Sequence, residues 1–239
     1  MSEQRAAIVT GASSGIGLAI ADVLGQEGYA LTIAARRPEK LEAAATGLRE
    51  KGYDIETVAG PLGDEDGVKA VVAAHRERYG RLDVLVNNAG VGIGAQVAEI
   101  DTKKLDMQLG VNLRSIILFY RETVDLLRAA ASEHGTALVI NTASIAGKRG
   151  QPWLSVYSAT KGAVVNFTEA MHKELSGEGI KSTALCPGFV DTPMTEFVKQ
   201  SVPATDMITP DDIAEAVRLL LKLSPACIIP EIQFIRPGD

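Results

Sequence analysis

The sequence predicts an α/β protein: a doubly wound, mainly parallel sheet of seven strands with helices on both faces. Short runs that are apolar throughout alternate with longer stretches of helical periodicity along the 239 residues. Strands with no polar face need cover on both sides, as in a parallel sheet. No internal repeat, low-complexity tract or Pro/Ser-rich linker divides the chain. Residues 1–239 therefore read as a single domain of ordinary size.

The first strand is read over Arg5–Thr10 and the following helix over Gly15–Gln26, ending near Gly28. Ala30–Ala35 is the second strand, and Pro38 opens the next helix, where its missing N–H would have no partner anyway. Ile55–Ala59, Leu82–Val86, Ala137–Asn141, Ser182–Cys186 and Ile228–Phe234 complete the seven. Helical patterns fall near Asp64–Tyr79, Asp101–Ser132, Val156–Leu175 and Pro210–Leu223. In such sheets ligands bind beyond the carboxyl ends of the strands, and the motifs that carry chemistry lie at those ends or just after them.

Composition excludes several classes. The formal net charge is −6, and no basic cluster is interleaved with aromatics, which argues against a nucleic-acid surface. Cys186 and Cys227 form no disulfide scaffold and suit a reducing compartment. His75, His134 and His172 have no metal-ligand spacing, so no metal site is expected. The start Met-Ser-Glu-Gln-Arg has no signal-peptide pattern, and no apolar run is long enough to cross a bilayer. The expectation is a cytoplasmic chain with no membrane partner.

Thr10-Gly11-Ala-Ser13-Ser14-Gly15-Ile16-Gly17 joins the first strand to the first helix. Glycines there permit a tight turn and let backbone N–H groups approach a pyrophosphate at a helix N-terminus, with Ser13 and Ser14 as further donors. The same residues satisfy G-x-S-x-G, a hydrolase nucleophile elbow. That reading fails because part of a hydrolase oxyanion hole comes from a loop after an earlier strand, and no strand precedes this one. About 20 residues on, where an NAD-preferring fold places an acid on the ribose hydroxyl, the chain has Ala35 followed by Arg36 and Arg37. Arginine there suits a 2′-phosphate, which favours NADP(H) over NAD(H).

Ser144 precedes Tyr157 by thirteen residues, and Lys161 follows it by four. On a helix Tyr157 and Lys161 share one face, one turn apart. An adjacent ammonium stabilises a phenolate and lowers the phenol from its usual pKa of ~10, which suits proton transfer to or from a carbonyl or alcohol oxygen.

Together these residues resemble the short-chain dehydrogenase/reductase family. The resemblance spans nearly the whole chain: Thr10–Gly17, Asn87-Asn88-Ala89-Gly90, Asn112, Ser144, Tyr157-x-x-x-Lys161 and Pro187-Gly188 occur in the family's order. It implies a Rossmann-like fold with Tyr157 as acid or base, Ser144 bonded to the substrate oxygen, and Lys161 holding the nicotinamide ribose while lowering the tyrosine pKa. It further implies that Asn112 holds a water of a proton relay. Asn88, Ala89 and Gly90 would line the adenosine-side ribose, and Pro187, Gly188, Val190 and Thr192 would flank the nicotinamide. Many members have an adenine-contacting Asp where this chain has Pro61, which leaves the backbone at Leu62 for that contact. The C-terminus lacks the Gly-Gly ending of acyl-carrier-type ketoreductases.

The expected function is an NADP(H)-dependent oxidoreductase acting on a small, partly apolar ketone or alcohol. A dinucleotide-sensing regulator without turnover is the alternative, but such a protein would be free to lose Ser144, Tyr157 or Lys161. A homodimer or homotetramer is expected from apolar residues Ile116, Ile117, Phe119, Tyr120, Val124 and Leu127. The connection from about residue 189 to 206, with Pro193 and Pro203, reads as a substrate loop that closes over bound cofactor.

Overall fold

Alternate residues of each strand enter different cores, since successive side chains leave opposite faces. In β1 (Ala6–Thr10), Ala7 and Val9 join one apolar cluster and Ile8 the other. In β5 (Ala137–Thr142), Leu138 and Ile140 take the first side, Ala137 and Val139 the second. Two-sided burial explains why these strands read as unbroken apolar runs. The computed structural model describes residues 4–238. The leader-free reading of the N-terminus falls partly on residues 1–3, which with residue 239 lie outside the described residues.

The remaining strands are β2 (Ala30–Ala35), β3 (Ile55–Ala59), β4 (Val84–Asn87), β6 (Ile180–Pro187) and β7 (Glu231–Phe234). The order is β3-β2-β1-β4-β5-β6-β7, with every pairing parallel. Helices α1 (Gly15–Gln26), α2 (Pro38–Glu50) and α7 (Pro210–Lys222) cover one face. α3 (Glu65–Tyr79), α5 (Ser115–His134) and α6 (Ser155–Leu175) cover the other. The chain order reverses between β1 and β4, and a crevice at such a switch point is where doubly wound sheets bind ligands.

Two expectations need correction. The helix read over Asp101–Ser132 is interrupted: α4 (Thr102–Leu109) passes through a π-turn at Gly110–Arg114 before α5 begins. Hydrophobic periodicity runs through such a turn and does not reveal it, yet π-turns recur at functional sites. The apolar excess offered for oligomerisation is mostly spent inside the chain, because Ile116, Phe119, Tyr120 and Leu127 are buried in the second core. Only Ile117 of that set is exposed, while Val124 is partly buried. Strand ends also move by a few residues: β7 starts at Glu231 because pairing with β6 sets its register from Ala184↔Glu231.

His75, on α3, is fully buried, and its hydrogen bonds fix its tautomer. Nε2 lies 2.7 Å from the Arg81 carbonyl, which can only accept, so Nδ1 accepts from the Thr32 hydroxyl at 2.8 Å. Burial of this neutral ring holds its pKa at about 4. Above the ordinary value of 6.5 both states are neutral and the stability is complete; as pH falls from 6.5 toward 4, the unfolded chain takes the proton first. Urea unfolding should therefore show about 3 kcal/mol of acid destabilisation across that window. His75→Gln should flatten this dependence; an equal acid slope in the variant would refute it.

Candidate active site

β1 ends at Thr10, whose hydroxyl closes the floor of the crevice. It accepts the backbone N–H groups of Asn88 (2.9 Å) and Ala89 (3.0 Å) and donates to the Val86 carbonyl (3.3 Å). The glycine turn thus lies directly against the chain leaving β4. Gly11 has φ 68° and its Cα faces Ala89, so a Cβ would come within 2.9 Å of the Ala89 Cα. At Gly17 a Cβ would lie 2.5 Å from the Gly11 carbonyl oxygen and from Asn88 Nδ2. No side chain fits at either position.

Ser14 is the N-cap of α1 but makes no side-chain cap bond, and α1 has no acidic residue in its first turn. Among the described residues, the Ser13 and Ser14 hydroxyls have no hydrogen-bond partner. These free donors beside the positive end of a twelve-residue helix fit a pyrophosphate. At the end of β2, Ala35 is buried, whereas Arg36 and Arg37 are exposed and pair with no carboxylate among the described residues. Leu62 packs into the second core, which leaves only its backbone to meet a nucleotide.

The π-turn buries Asn112 and aims it at the loop after β4. Its Oδ1 accepts from Val91 N–H (2.8 Å), and its Nδ2 donates to the Val91 carbonyl (2.9 Å) and the Thr160 hydroxyl (3.1 Å). Both N–H bonds of the amide are used, so the side chain fastens the 88–91 loop to α6. A water of the implied proton relay would then be held by the second lone pair of Oδ1 or by the backbone carbonyl.

Ser144, Tyr157 and Lys161 converge beyond the carboxyl end of β5. The Ser144 hydroxyl caps a short 3-10 turn, accepting from Ala146 N–H (3.1 Å) and donating to the Pro187 carbonyl (3.3 Å). Tyr157 and Lys161 share one face of α6, with Lys161 Nζ 5.7 Å from the centre of the phenol ring. The ammonium is buried and donates to the Thr142 carbonyl (2.7 Å). Burial brings its pKa down to about 8, which leaves it charged at neutral pH. The phenol is pushed up from its ordinary value by burial, against a smaller lowering from Ser144. The direction is opposite to the one expected from the neighbouring cation, because desolvation is the largest influence on the buried phenol. Val190 is buried, and the Gly188 N–H is held by the Phe234 carbonyl (2.8 Å). Thr192 packs its methyl over Gly15, so the strand exit of β6 bridges the glycine turn and the Tyr157 side.

Several contributors escaped the sequence reading. Thr142 and Thr160 act through a carbonyl and a hydroxyl in the motifs' flanks, with no pattern of their own. A buried polar chain also lies beneath the site: Asn87 Nδ2 donates to Asn141 Oδ1 (2.9 Å), and Asn141 Nδ2 donates to the Tyr120 (3.0 Å) and Thr168 (2.9 Å) hydroxyls. Tyr120 then donates to Ser182 (2.9 Å). This chain ties β4, β5, β6, α5 and α6 together, and only the three-dimensional fold brings its members into contact. Among the described residues no cluster could hold a metal ion, and no helix is long and apolar enough to cross a membrane.

The short chain dehydrogenase family model matches residues 5–203. The chain belongs to that family. A proposed ketoacyl reductase of Streptomyces coelicolor is 37% identical over 247 residues, covering 95% of this chain and 93% of that protein. Among solved structures, an actinorhodin polyketide ketoreductase variant with NADPH superposes at a TM-score of 0.88 with 33% identity, covering 98% of this chain and 96% of that one. The 3-ketoacyl-(acyl-carrier-protein) reductase of Brucella melitensis, complexed with NADH, gives 0.85 with 29% identity and 97% coverage of each. Like its relatives in this short chain dehydrogenase family, the protein is an oxidoreductase with a single Rossmann-like domain.

Proposed function

We propose that the protein is an NADP(H)-dependent carbonyl reductase or alcohol dehydrogenase for a small, partly apolar substrate. The convergence of Ser144, Tyr157 and Lys161 beside the glycine turn is the observation that carries this reading. Gly11, Ser13, Ser14, Gly15, Ile16 and Gly17 would hold the pyrophosphate. Asn88, Ala89 and Gly90 would line the adenosine-side ribose, and Leu62 would offer its backbone to the adenine. Lys161 would hold the nicotinamide ribose between Pro187, Gly188, Val190 and Thr192. Similar structures carry NADPH or NADP in several cases and NADH in one, and this chain's exposed Arg36 and Arg37 support the same preference for NADP(H). The nicotinamide nucleotide supplies the hydride.

The chain's residues supply the proton. With its pKa raised, Tyr157 stays protonated at neutral pH and donates to the carbonyl oxygen as the carbon accepts the hydride; the product is the alcohol. Ser144, turning its hydroxyl proton from the Pro187 carbonyl, hydrogen-bonds the same oxygen and fixes its approach to the phenol. The Lys161 ammonium favours the phenolate left behind, which regains its proton through the Asn112 carbonyl side of the relay. In the oxidative direction the phenolate takes the alcohol proton. A regulator without turnover would have no use for this arrangement. Loss of NADPH absorbance on adding ketones or 3-oxo esters tests the reading; no turnover with any carbonyl would overturn it.

The free cysteines, Cys186 buried and Cys227 exposed, support a cytoplasmic setting. Self-association is read from Met107, Leu109 and Ile117, which stay exposed on adjoining α4 and α5. Light scattering at micromolar concentration should give at least twice the 25.3 kDa chain mass, and Ile117→Asp should lower it. A monomer mass in the wild type would count against a dimer or tetramer.

A further inference from the structure

Trp153 is the one described non-glycine residue with a left-handed backbone, at φ 66°. A bulky side chain in that region is a real outlier, and such strain gathers at functional sites. Two contacts hold it. Its carbonyl accepts the Ala95 N–H at 2.8 Å, and its indole lies flat against Gly94, where a Cβ would come within 2.4 Å of the ring. The indole also meets Phe197 from the loop after β6, ring centres 6.0 Å apart and planes at 57°. Both rings remain about half exposed, at 48% and 58%.

This pair borders the reaction centre. Gly92, on the same ridge as Gly94, faces the Tyr157 ring and the Met194 sulfur, which would lie 3.8 and 3.9 Å from a Cβ there. Tyr157 and Met194 at Gly92, and Trp153 with Phe197 at Gly94, therefore gather along one stretch of the 92–95 ridge, and none of them carries a charge. A carbonyl hydrogen-bonded to Tyr157 would leave the rest of its molecule against the two rings. Aromatic faces at this tilt accept a further ring by offset or edge-on stacking.

We propose that Trp153 determines substrate specificity by forming, with Phe197, an aromatic wall for a planar cyclic ketone. The proposal rests on the carbonyl-reductase reading and extends it to a substrate class. The left-handed backbone and the Ala95 bond hold the indole over Gly94, which leaves room for it beside the Tyr157 end of the ridge.

The test compares kcat/KM for 2-indanone and for 2-butanone. Trp153→Asn removes the ring but keeps a residue that tolerates positive φ. It should lower the 2-indanone to 2-butanone ratio by about 10-fold or more, chiefly through KM for 2-indanone. Trp153→Phe should restore much of the ratio. Gly94→Ala should lower it as well, by displacing an unaltered indole. An unchanged ratio in Trp153→Asn would overturn the proposal. Trp153 is also the chain's single tryptophan, so binding can be read without turnover. In the wild type saturated with NADP+, a dead-end complex, 2-indanone should change the tryptophan fluorescence saturably, and 2-butanone at equal concentration should not. Fluorescence unmoved by 2-indanone up to its solubility limit would equally refute it. If no ketone is reduced, the carbonyl-reductase reading fails while the fluorescence result still decides whether the wall binds rings.

Discussion

Tyr157→Phe should lower kcat for carbonyl reduction by ~10²-fold or more, the usual contribution of a positioned general acid. The substitution keeps the ring on its face of α6 and removes only the hydroxyl. It leaves untouched the Lys161 bond to Thr142 and the Asn112 bond to Thr160. NADPH binding, followed by its fluorescence, should persist within a few-fold, which separates loss of chemistry from loss of structure. The wild-type pH profile gives a second readout. Tyr157 is raised and Lys161 sits at about 8, so both are protonated at neutrality. kcat/KM for reduction should stay level through neutral pH and decline above about 8, as Lys161 loses the charge that favours the phenolate. A Phe variant with near-normal turnover would exclude Tyr157 as the proton donor.

Replacing both Arg36 and Arg37 by alanine should weaken NADPH far more than NADH. A hydrogen bond to a charged group contributes about 1.5–3 kcal/mol, or roughly 10- to 150-fold in kcat/KM for NADPH. The fold shows why the arginines are the positions to change. Ala35 is buried in the first core, so an acid placed there would be taken out of water with the sheet around it. Arg36 and Arg37 are exposed, and Arg37 caps α2 through its backbone alone. Their loss should cost little stability, so any drop in NADPH use reports on the cofactor contact. A wild type that uses NADH better than NADPH would reverse the assignment.

Much of this molecule follows from local sequence. Inner strands buried on both faces must be largely apolar, so these runs and their helical spacers give a parallel doubly wound sheet without reference to distant contacts, with only the edge strands β3 and β7 partly exposed. Gly11 and Gly17 are legible because close backbone approach admits no side chain. Tyr157 and Lys161 are legible because a helix places residues four apart on one face. Other features depend on what the fold brings near. The π-turn that turns Asn112 inward leaves no break in hydrophobic periodicity. The burial of Ile116, Phe119, Tyr120 and Leu127 depends on what packs over α5, which helical spacing cannot state. The direction of the Tyr157 shift is set by desolvation, and burial is a property of the assembled protein. Trp153 reads as an ordinary loop aromatic until the ridge at Gly94 and the Phe197 loop close on it from segments about 60 and 40 residues away in sequence. Sequence determined the scaffold and the reacting groups, since those obey short-range periodicity; only tertiary structure decided their protonation, their fastening and the wall that faces the substrate, since those arise from long-range contact.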